Sequence, residues 1–172
     1  MCLRRRFPPR NNRRCLIRPA ATCLLLAAMA RSLRPADAFS TEMLAAHNRV
    51  RAGVKVPPLA WSAKLAEVAA KWADHLLSTG RFEHQGRNPY GENLFEARGG
   101  TVSAAEVVAD WASEAADYDY RTNTCRGVCG HYTQLVWRGT RAVGCASAER
   151  GGRQVVACEY DPPGNWKGQR PW

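Results

Sequence analysis

The chain has 172 residues, of which 45% are hydrophobic, and its 25 basic and 15 acidic residues give a formal net charge of +10. This length fits one domain, and the chain after its first 38 residues has no repeat, low-complexity tract or obvious linker. The net charge of the whole chain suggests a nucleic-acid partner, but the distribution of the basic residues does not. Nine arginines lie in residues 1–38 against one acidic residue, so residues 39–172 carry only +2 and have no basic cluster, which excludes a nucleic-acid partner.

The first 38 residues have the composition of a secretory signal peptide. A basic region precedes an apolar run at 20–30, and Ala36-Asp37-Ala38 supplies the small residues that signal peptidase accepts, which predicts cleavage before Phe39. The run is too short to span a bilayer, which needs about 20 apolar residues, so no stable membrane insertion is expected. An arginine-rich, acid-poor leader also fits an organelle transit peptide. We favour secretion, with residues 39–172 forming the exported domain.

Two helices are predicted at the start of the exported part. Ser40 can cap the first, which ends near Gly53 and carries a stripe of Met43, His47 and Val50. Ser62 can cap the second, which stops at Gly80. Its stripe comprises Leu65, Val68, Ala69, Trp72 and Leu76.

A third helix begins with a capping box formed by Ser103 and Glu106. Glu114 continues the apolar stripe of this helix beyond Trp111. Because an unpaired carboxylate there would cost several kcal/mol, a cation, a histidine or a metal should satisfy it. The alternative is a helix rotated by one residue, with Ala115 inside and Glu114 on the rim.

The last third of the chain is predicted to form strands. They lie at about 131–137, 142–147 and 153–160, and the last two are joined by a turn at Gly151-Gly152. Helices therefore come first and hairpin-connected strands last. That order predicts an α+β fold, in which helices cover an antiparallel sheet.

Four cysteines remain once the leader is removed, an even number that favours two disulfides in an exported domain. The predicted hairpin can bring Cys145 opposite Cys158, which leaves Cys125 and Cys129 as a tight local loop. The alternative is a zinc site built from all four thiolates, although their spacing matches no strong zinc pattern.

Two imidazoles and two carboxylates, His84, Glu92, Glu114 and His131, could form a metal site, because nitrogen and oxygen donors suit zinc. They are scattered over separate segments, so their spacing is weak support. A histidine on a surface loop is more often simply solvated.

Two dense segments resemble a known family. Residues 129–137, Cys-Gly-His-Tyr-Thr-Gln-Leu-Val-Trp, and residues 155–166, Val-Val-Ala-Cys-Glu-Tyr-Asp-Pro-Pro-Gly-Asn-Trp, resemble the two signature motifs of the superfamily of cysteine-rich secretory proteins, antigen 5 and pathogenesis-related 1 proteins (the CAP or SCP domain). The likeness runs from about Thr41 to Trp172. Within the superfamily it is greatest for the plant pathogenesis-related 1 group.

The resemblance implies a three-layer α-β-α sandwich with a central, mainly antiparallel sheet. It also implies that His84, Glu92, Glu114 and His131 face one another across a central cleft that can hold a divalent ion such as zinc, while His47 is structural. The chain departs from the plant group in having four rather than six cysteines. It also has Glu159 where asparagine is usual.

The function implied is that of a secreted, extracellular (apoplastic) defence protein that binds a sterol or other lipid and is not an enzyme. Trp111, Tyr118 and Tyr120 are candidate lipid contacts, with core packing as the other role for Trp111. Residues 162–172 resemble a signalling peptide that a processing protease releases by cutting after Asp161.

Two other functions remain open. One is a metal-dependent hydrolase in which zinc in the His/Glu cleft activates water. The chain has no His-Glu-x-x-His or Gly-x-Ser-x-Gly motif, and Ser113 or Thr133 beside His131 would be a poor substitute for an organised triad. The other is an extracellular scaffold without a ligand.

Overall fold

The computed structural model describes residues 35–172. Of the predicted signal peptide, only residues 35–38 fall in this part, where they form the first turn of a helix; the remainder, with its three cysteines, lies outside the described residues. Cleavage before Phe39 therefore stays a prediction. No helix within residues 35–172 is long and apolar enough to cross a membrane.

Helix α1 spans Pro35–Gly53, so it begins earlier than predicted. Ser40 lies inside it, and the prediction that Ser40 caps the helix is wrong. Proline suits a helix start because its missing N–H would have no partner there. The predicted stripe is correct in its first two members, since Met43 and His47 are completely buried.

Helix α2, Ala63–Thr79, has both predicted ends. The Ser62 hydroxyl accepts a hydrogen bond from the Leu65 amide at 3.3 Å. Gly80 ends the helix in the left-handed conformation, with φ of 71°, which glycine adopts without steric cost.

Helix α3, Ala104–Ser113, begins with the predicted capping box. The Glu106 amide donates to the Ser103 hydroxyl at 3.3 Å, and the Glu106 carboxylate accepts from the Ser103 amide at 2.9 Å. A single 3-10 turn, Glu114–Asp117, follows directly.

The strands in chain order are β1 Ala60–Trp61, β2 Gly91–Arg98, β3 Tyr118–Asp119, β4 Thr124–Cys125, β5 Ala142–Arg150 and β6 Arg153–Asp161. The central sheet has four of them in the order β1-β5-β6-β2, and a separate two-stranded ribbon pairs β3 with β4. Strand β1 runs parallel to β5, and the other pairs in the sheet are antiparallel. The β5–β6 hairpin was predicted, whereas β2 was not.

Helices cover both faces of this sheet, because alternate residues of β6 point to opposite sides. Val155 and Ala157 pack with Ala69, Ala73 and Leu76 of α2. On the other face, Val156, Cys158 and Tyr160 pack with residues of α1 and α3, among them Met43, Val107 and Trp111. This arrangement confirms the predicted α+β class and its three α-β-α layers.

The strand predicted at 131–137 is wrong, because Gly130–Leu135 forms a short helix, α4. Alternating apolar residues in so short a run do not distinguish strand from helix. The helix is fixed by a distant residue: the Glu114 carboxylate accepts hydrogen bonds from the amides of His131 and Tyr132 at 2.9 and 3.1 Å. These amides are among those that a helix N-terminus leaves without an internal partner.

Candidate functional site

A cavity of about 280 Å³, here called the central cleft, lies among the start of β2, the start of α4 and the C-terminal segment. Its lining consists of His84, Glu92, Asn93, Val128, Gly130, His131 and Asn165. Three of the four predicted site residues, His84, Glu92 and His131, thus line one cavity. The fourth, Glu114, contacts His131.

The first imidazole of the cleft is paired with a carboxylate. His84 Nδ1 lies 2.5 Å from Glu92 Oε1, and the Gln85 amide donates to the same oxygen at 3.1 Å. The Glu92 side chain is only 6% exposed, while that of His84 is 67% exposed. The hydrogen bond to Glu92 raises the pKa of His84 above its ordinary value, because it favours the charged imidazolium.

The second imidazole is paired in the same way. His131 Nδ1 lies 2.6 Å from Glu114 Oε1, and the ring stacks on Trp111 with 6.0 Å between centroids. Glu114 is half-buried, whereas Ala115 is exposed. The expectation that a partner satisfies Glu114 is therefore correct: His131 and two α4 amides do so. The alternative with Ala115 inside is wrong.

These pairs define what the two histidines can offer a ligand. A carboxylate accepts only, so in the neutral imidazole Nδ1 carries the proton and Nε2 keeps its lone pair. Neither Nε2 has a hydrogen-bond partner in residues 35–172. The cleft is therefore lined by two imidazoles with unused nitrogen acceptors, each oriented by a carboxylate.

The two carboxylates are placed to orient the rings rather than to complete one compact set of donors. In the described part of the chain, the one group of three or more His, Cys, Asp or Glu donors within 4.8 Å of one another is His47, Cys145 and Cys158. That group cannot hold a metal through sulfur, because the two cysteines form a disulfide.

A buried network connects this cleft to the core. The Asn93 amide group donates to the His131 carbonyl at 3.1 Å and to the Tyr160 hydroxyl at 3.2 Å, and that hydroxyl lies 2.9 Å from His47 Nε2. His47 is thus a core residue. Neither Asn93 nor Tyr160 was predicted from the sequence as a site residue, although Tyr160 lies within the second of the two segments that carried the resemblance.

Glu159 forms the wall behind Glu92. The two residues are directly opposite in the β2–β6 register, and Glu159 is completely buried. Asn88 donates to its Oε2 at 2.6 Å, while Oε1 has no hydrogen-bond partner within residues 35–172. Burial raises the pKa of Glu159 to about 7, and the neighbouring Glu92 carboxylate adds to the shift.

The predicted lipid contacts do not form one cluster on an open cavity. Trp111 is buried in the core and donates its indole N–H to the Leu94 carbonyl at 3.1 Å. Tyr118 and Tyr120 pack against Trp172.

Two further cavities are available to a ligand. One of about 340 Å³ lies between the C-terminal segment and the start of α4, and Tyr118 lines it. The other, of about 540 Å³, lies between α2, the start of α1 and β5. Its lining includes Phe39, Trp61, Ala66, Ala70 and Ala146.

The hydroxyl groups near the cleft are engaged elsewhere. Thr133 Oγ1 lies 3.0 Å from the Cys129 carbonyl oxygen and 2.7 Å from Asn165 Oδ1, and Ser113 Oγ donates to the Asp110 carbonyl at 2.6 Å. Neither hydroxyl contacts His131, so neither forms a nucleophile–base pair with it.

Both predicted disulfides are present. Cys125 is bonded to Cys129, and Cys145 is bonded to Cys158 across the β5–β6 hairpin. The zinc site of four thiolates is therefore wrong, because none of these sulfurs is a free thiolate.

Comparisons with known proteins agree with this architecture. Residues 44–160 match the family described as the Cysteine-rich secretory protein family, CAP. The chain is 45% identical to pathogenesis-related protein 1 of Arabidopsis thaliana over 128 residues, which are 74% of this chain and 78% of that protein. It is 42% identical to pathogenesis-related protein 1A of Nicotiana tabacum over 155 residues, 88% of this chain and 91% of that protein.

A solved structure has the same fold. The venom allergen-like protein 4 of Schistosoma mansoni superposes with a TM-score of 0.66 at 24% identity, covering 77% of this chain and 92% of that one.

Proposed function

The chain belongs to the cysteine-rich secretory protein family, and we propose that it is a secreted plant defence protein that acts extracellularly by binding ligands rather than by catalysis. Its identity of 45% and 42% to plant pathogenesis-related proteins, over most of each chain, supports the defence role. The structural observation that carries the ligand-binding role is the pair of carboxylate-oriented imidazoles lining one cleft.

The proposed ligand of the central cleft is a divalent cation such as zinc. His84 and His131 would hold it through Nε2, and Glu92 and Glu114 would orient the rings, as carboxylates do for metal-binding histidines. Such an ion would supply positive charge to the cleft and connect the loop before β2 to α4. The donor chemistry fits, since neither Nε2 atom has another partner among the residues that the structure describes.

Calorimetric titration of Zn²⁺ into the secreted protein tests this proposal. His84→Ala and His131→Ala should each weaken binding by about tenfold or more, and Glu92→Gln by about 10- to 100-fold, the usual range for an orienting partner. His75→Ala is the matched control, because His75 is exposed on α2 and outside the cleft. Equal affinity for all variants would remove the proposal.

The proposed second ligand is a sterol or other lipid. The cavity of about 540 Å³ supports this role, because small-molecule sites are commonly 300–1,000 Å³ and mainly apolar. Saturable uptake of a radiolabelled sterol is the direct measurement. Ala70→Trp would fill that cavity, and Tyr120→Ala would remove one of the aromatic contacts predicted from the sequence. The variant that loses uptake identifies the site, and absence of uptake by the unmodified protein removes the role.

We also propose that residues 162–172 are released as a signalling peptide. Asp161 and Pro162, which flank the predicted cut, are both exposed, so a protease could reach the peptide bond between them. Mass spectrometry of extracellular fluid would detect the eleven-residue fragment. Its absence after induction of the protein would argue against a precursor role.

A non-enzymatic mode of action is proposed because neither Thr133 nor Ser113 contacts His131. If the protein were instead a metal-dependent hydrolase using the same cleft, the zinc-loaded protein would turn over an ester or peptide substrate. Glu92→Gln would then abolish this turnover while the circular dichroism spectrum stayed unchanged. Failure to detect turnover in the zinc-loaded protein supports the binding role.

A further inference from the structure

The C-terminal segment, residues 162–172 and here called the tail, lies against residues 118–140, here called the tail-binding surface. Most tail side chains are exposed, yet the last two residues are not: Pro171 is buried and Trp172 is half-buried. The contacts of these two residues show what holds them.

Trp172 sits among three tyrosines. Its ring stacks on Tyr120 with 4.7 Å between centroids and 18° between planes, and it lies 5.8 Å from Tyr118 and 5.9 Å from Tyr132. The Tyr120 hydroxyl also donates to the Trp172 carbonyl oxygen at 2.7 Å. Aromatic residues packed in this manner commonly dominate the binding energy of a peptide.

The backbone next to Trp172 is held as well. The Arg138 amide donates to the Pro171 carbonyl at 2.6 Å, and Asn123 donates to the Gln169 carbonyl at 3.2 Å. Arg170 donates in the other direction, to the carbonyl oxygens of Tyr120 and Arg121 at 3.1 and 2.9 Å. The last four residues therefore make backbone and side-chain contacts over their whole length.

The start of the tail is anchored separately. The Gly164 amide donates to Gln134 Oε1 at 2.9 Å, and Thr140 Oγ1 donates to the Pro162 carbonyl at 3.0 Å. Asn165 donates to the Gly130 carbonyl at 2.8 Å and also lines the central cleft. The tail is therefore part of the cleft wall.

None of these contacts depends on the peptide bond between Asp161 and Pro162. We propose that the tail-binding surface is a peptide-binding site whose ligand is the chain's own C-terminus, so that the tail stays bound after that bond is hydrolysed. Release then requires a second event that displaces Trp172, and departure of the tail opens one wall of the central cleft. The consequence for signalling rests on the proposed precursor role, whereas the binding itself does not.

The full secreted chain allows a direct test, because residues 39–172 contain four lysines and one of them lies in the tail. Replacing Lys55, Lys64 and Lys71 with arginine leaves Lys167 as the single site for a lysine-specific protease. All four lysines are exposed. Cleavage after Lys167 frees residues 168–172 from the chain while their contacts stay available.

The nicked protein is passed through native size-exclusion chromatography, and the protein peak is then denatured for mass spectrometry. The pentapeptide is expected to elute with the protein. Trp172→Ala should weaken its retention by roughly 30-fold, as for a binding hot spot, and Tyr120→Ala should also reduce it. Trp166→Ala is the control and should retain the pentapeptide, since Trp166 is 55% exposed and its indole N–H donates within the tail, to the Pro163 carbonyl.

Loss of the pentapeptide from the parent protein during chromatography would overturn the proposal. If the parent protein resists the protease and its Trp172→Ala variant is cut, the proposal is supported, since Trp172 then also restrains Lys167. If the parent and the Trp172→Ala variant resist equally, the role of Trp172 is overturned. Absence of the eleven-residue fragment in extracellular fluid would count against the precursor role alone, because the nick uses an added protease.

Discussion

Acidification should destabilise this protein through His47, which is buried as a neutral base. The ring is completely buried, with Nδ1 2.8 Å from the Met43 carbonyl and Nε2 2.9 Å from the Tyr160 hydroxyl. A carbonyl cannot donate, so Nδ1 carries the proton and Nε2 accepts from Tyr160. Burial, with a contribution from the Arg51 charge, lowers the pKa of His47 from 6.5 to about 4.

The sign and size of the effect follow from this difference in pKa. As the pH falls below 6.5, the unfolded chain binds a proton at this histidine while the folded protein does not, so the free energy of unfolding decreases. The loss continues until the folded state also takes up the proton near pH 4. Integrated over this window, it amounts to about 3 kcal/mol, which is a large part of a typical domain's stability.

Urea unfolding at several pH values between about 7 and 4, with disulfides intact, measures this term. His47→Gln is the comparison, because glutamine is polar but does not titrate. The unmodified protein should lose about 3 kcal/mol more than the variant across the range. Glu159, whose pKa is raised to about 7, titrates in both proteins, so its contribution cancels in the difference. Parallel pH profiles for the two proteins would refute the reasoning.

Three substitutions test other parts of the fold by urea unfolding at neutral pH. Glu114→Ala removes the acceptor for two α4 amides and should cost about 1–2 kcal/mol; Glu114→Gln should cost less, and equal losses would contradict a capping role. Arg51→Met removes the buried guanidinium that donates to four backbone carbonyls and should cost about 3 kcal/mol or more. An unchanged midpoint would contradict that bonding. Gly144→Ala places Cβ against the Ala66 amide and should cost about 1–3 kcal/mol, whereas Gly86→Ala, which has open space, should be close to neutral; equal effects would refute the close approach.

Features that the sequence predicted correctly depend on short-range contacts. The Ser62 cap and the Ser103–Glu106 box join residues three positions apart, and Gly80 stops α2 through its own φ. The hairpin at Gly151-Gly152 also depends on adjacent residues, and it fixed the Cys145–Cys158 pairing. Such signals are local, so they can be recognised in the sequence without knowledge of the rest of the fold.

The site was predicted only in part. The apolar stripe of α3 indicated that Glu114 needs a partner, and the family resemblance supplied His131. The roles within the site came from the structure, in which Glu92 and Glu114 accept from the Nδ1 atoms and each Nε2 has no partner in the described part of the chain. The docking of Trp172 on Tyr120, 52 positions away, has no local signal at all.

The amino-acid sequence by itself determined the caps of α2 and α3, the long hairpin and its disulfide, since each follows from groups that meet within a few residues or across one turn. Only the tertiary structure decided that residues 130–135 are a helix and that residues 91–98 are a strand. In the first case the helix N-terminus is satisfied by Glu114 from another element, and in the second the strand is paired along its whole length by β6. Where a segment's backbone partners lie far away along the chain, its own residues cannot specify its conformation.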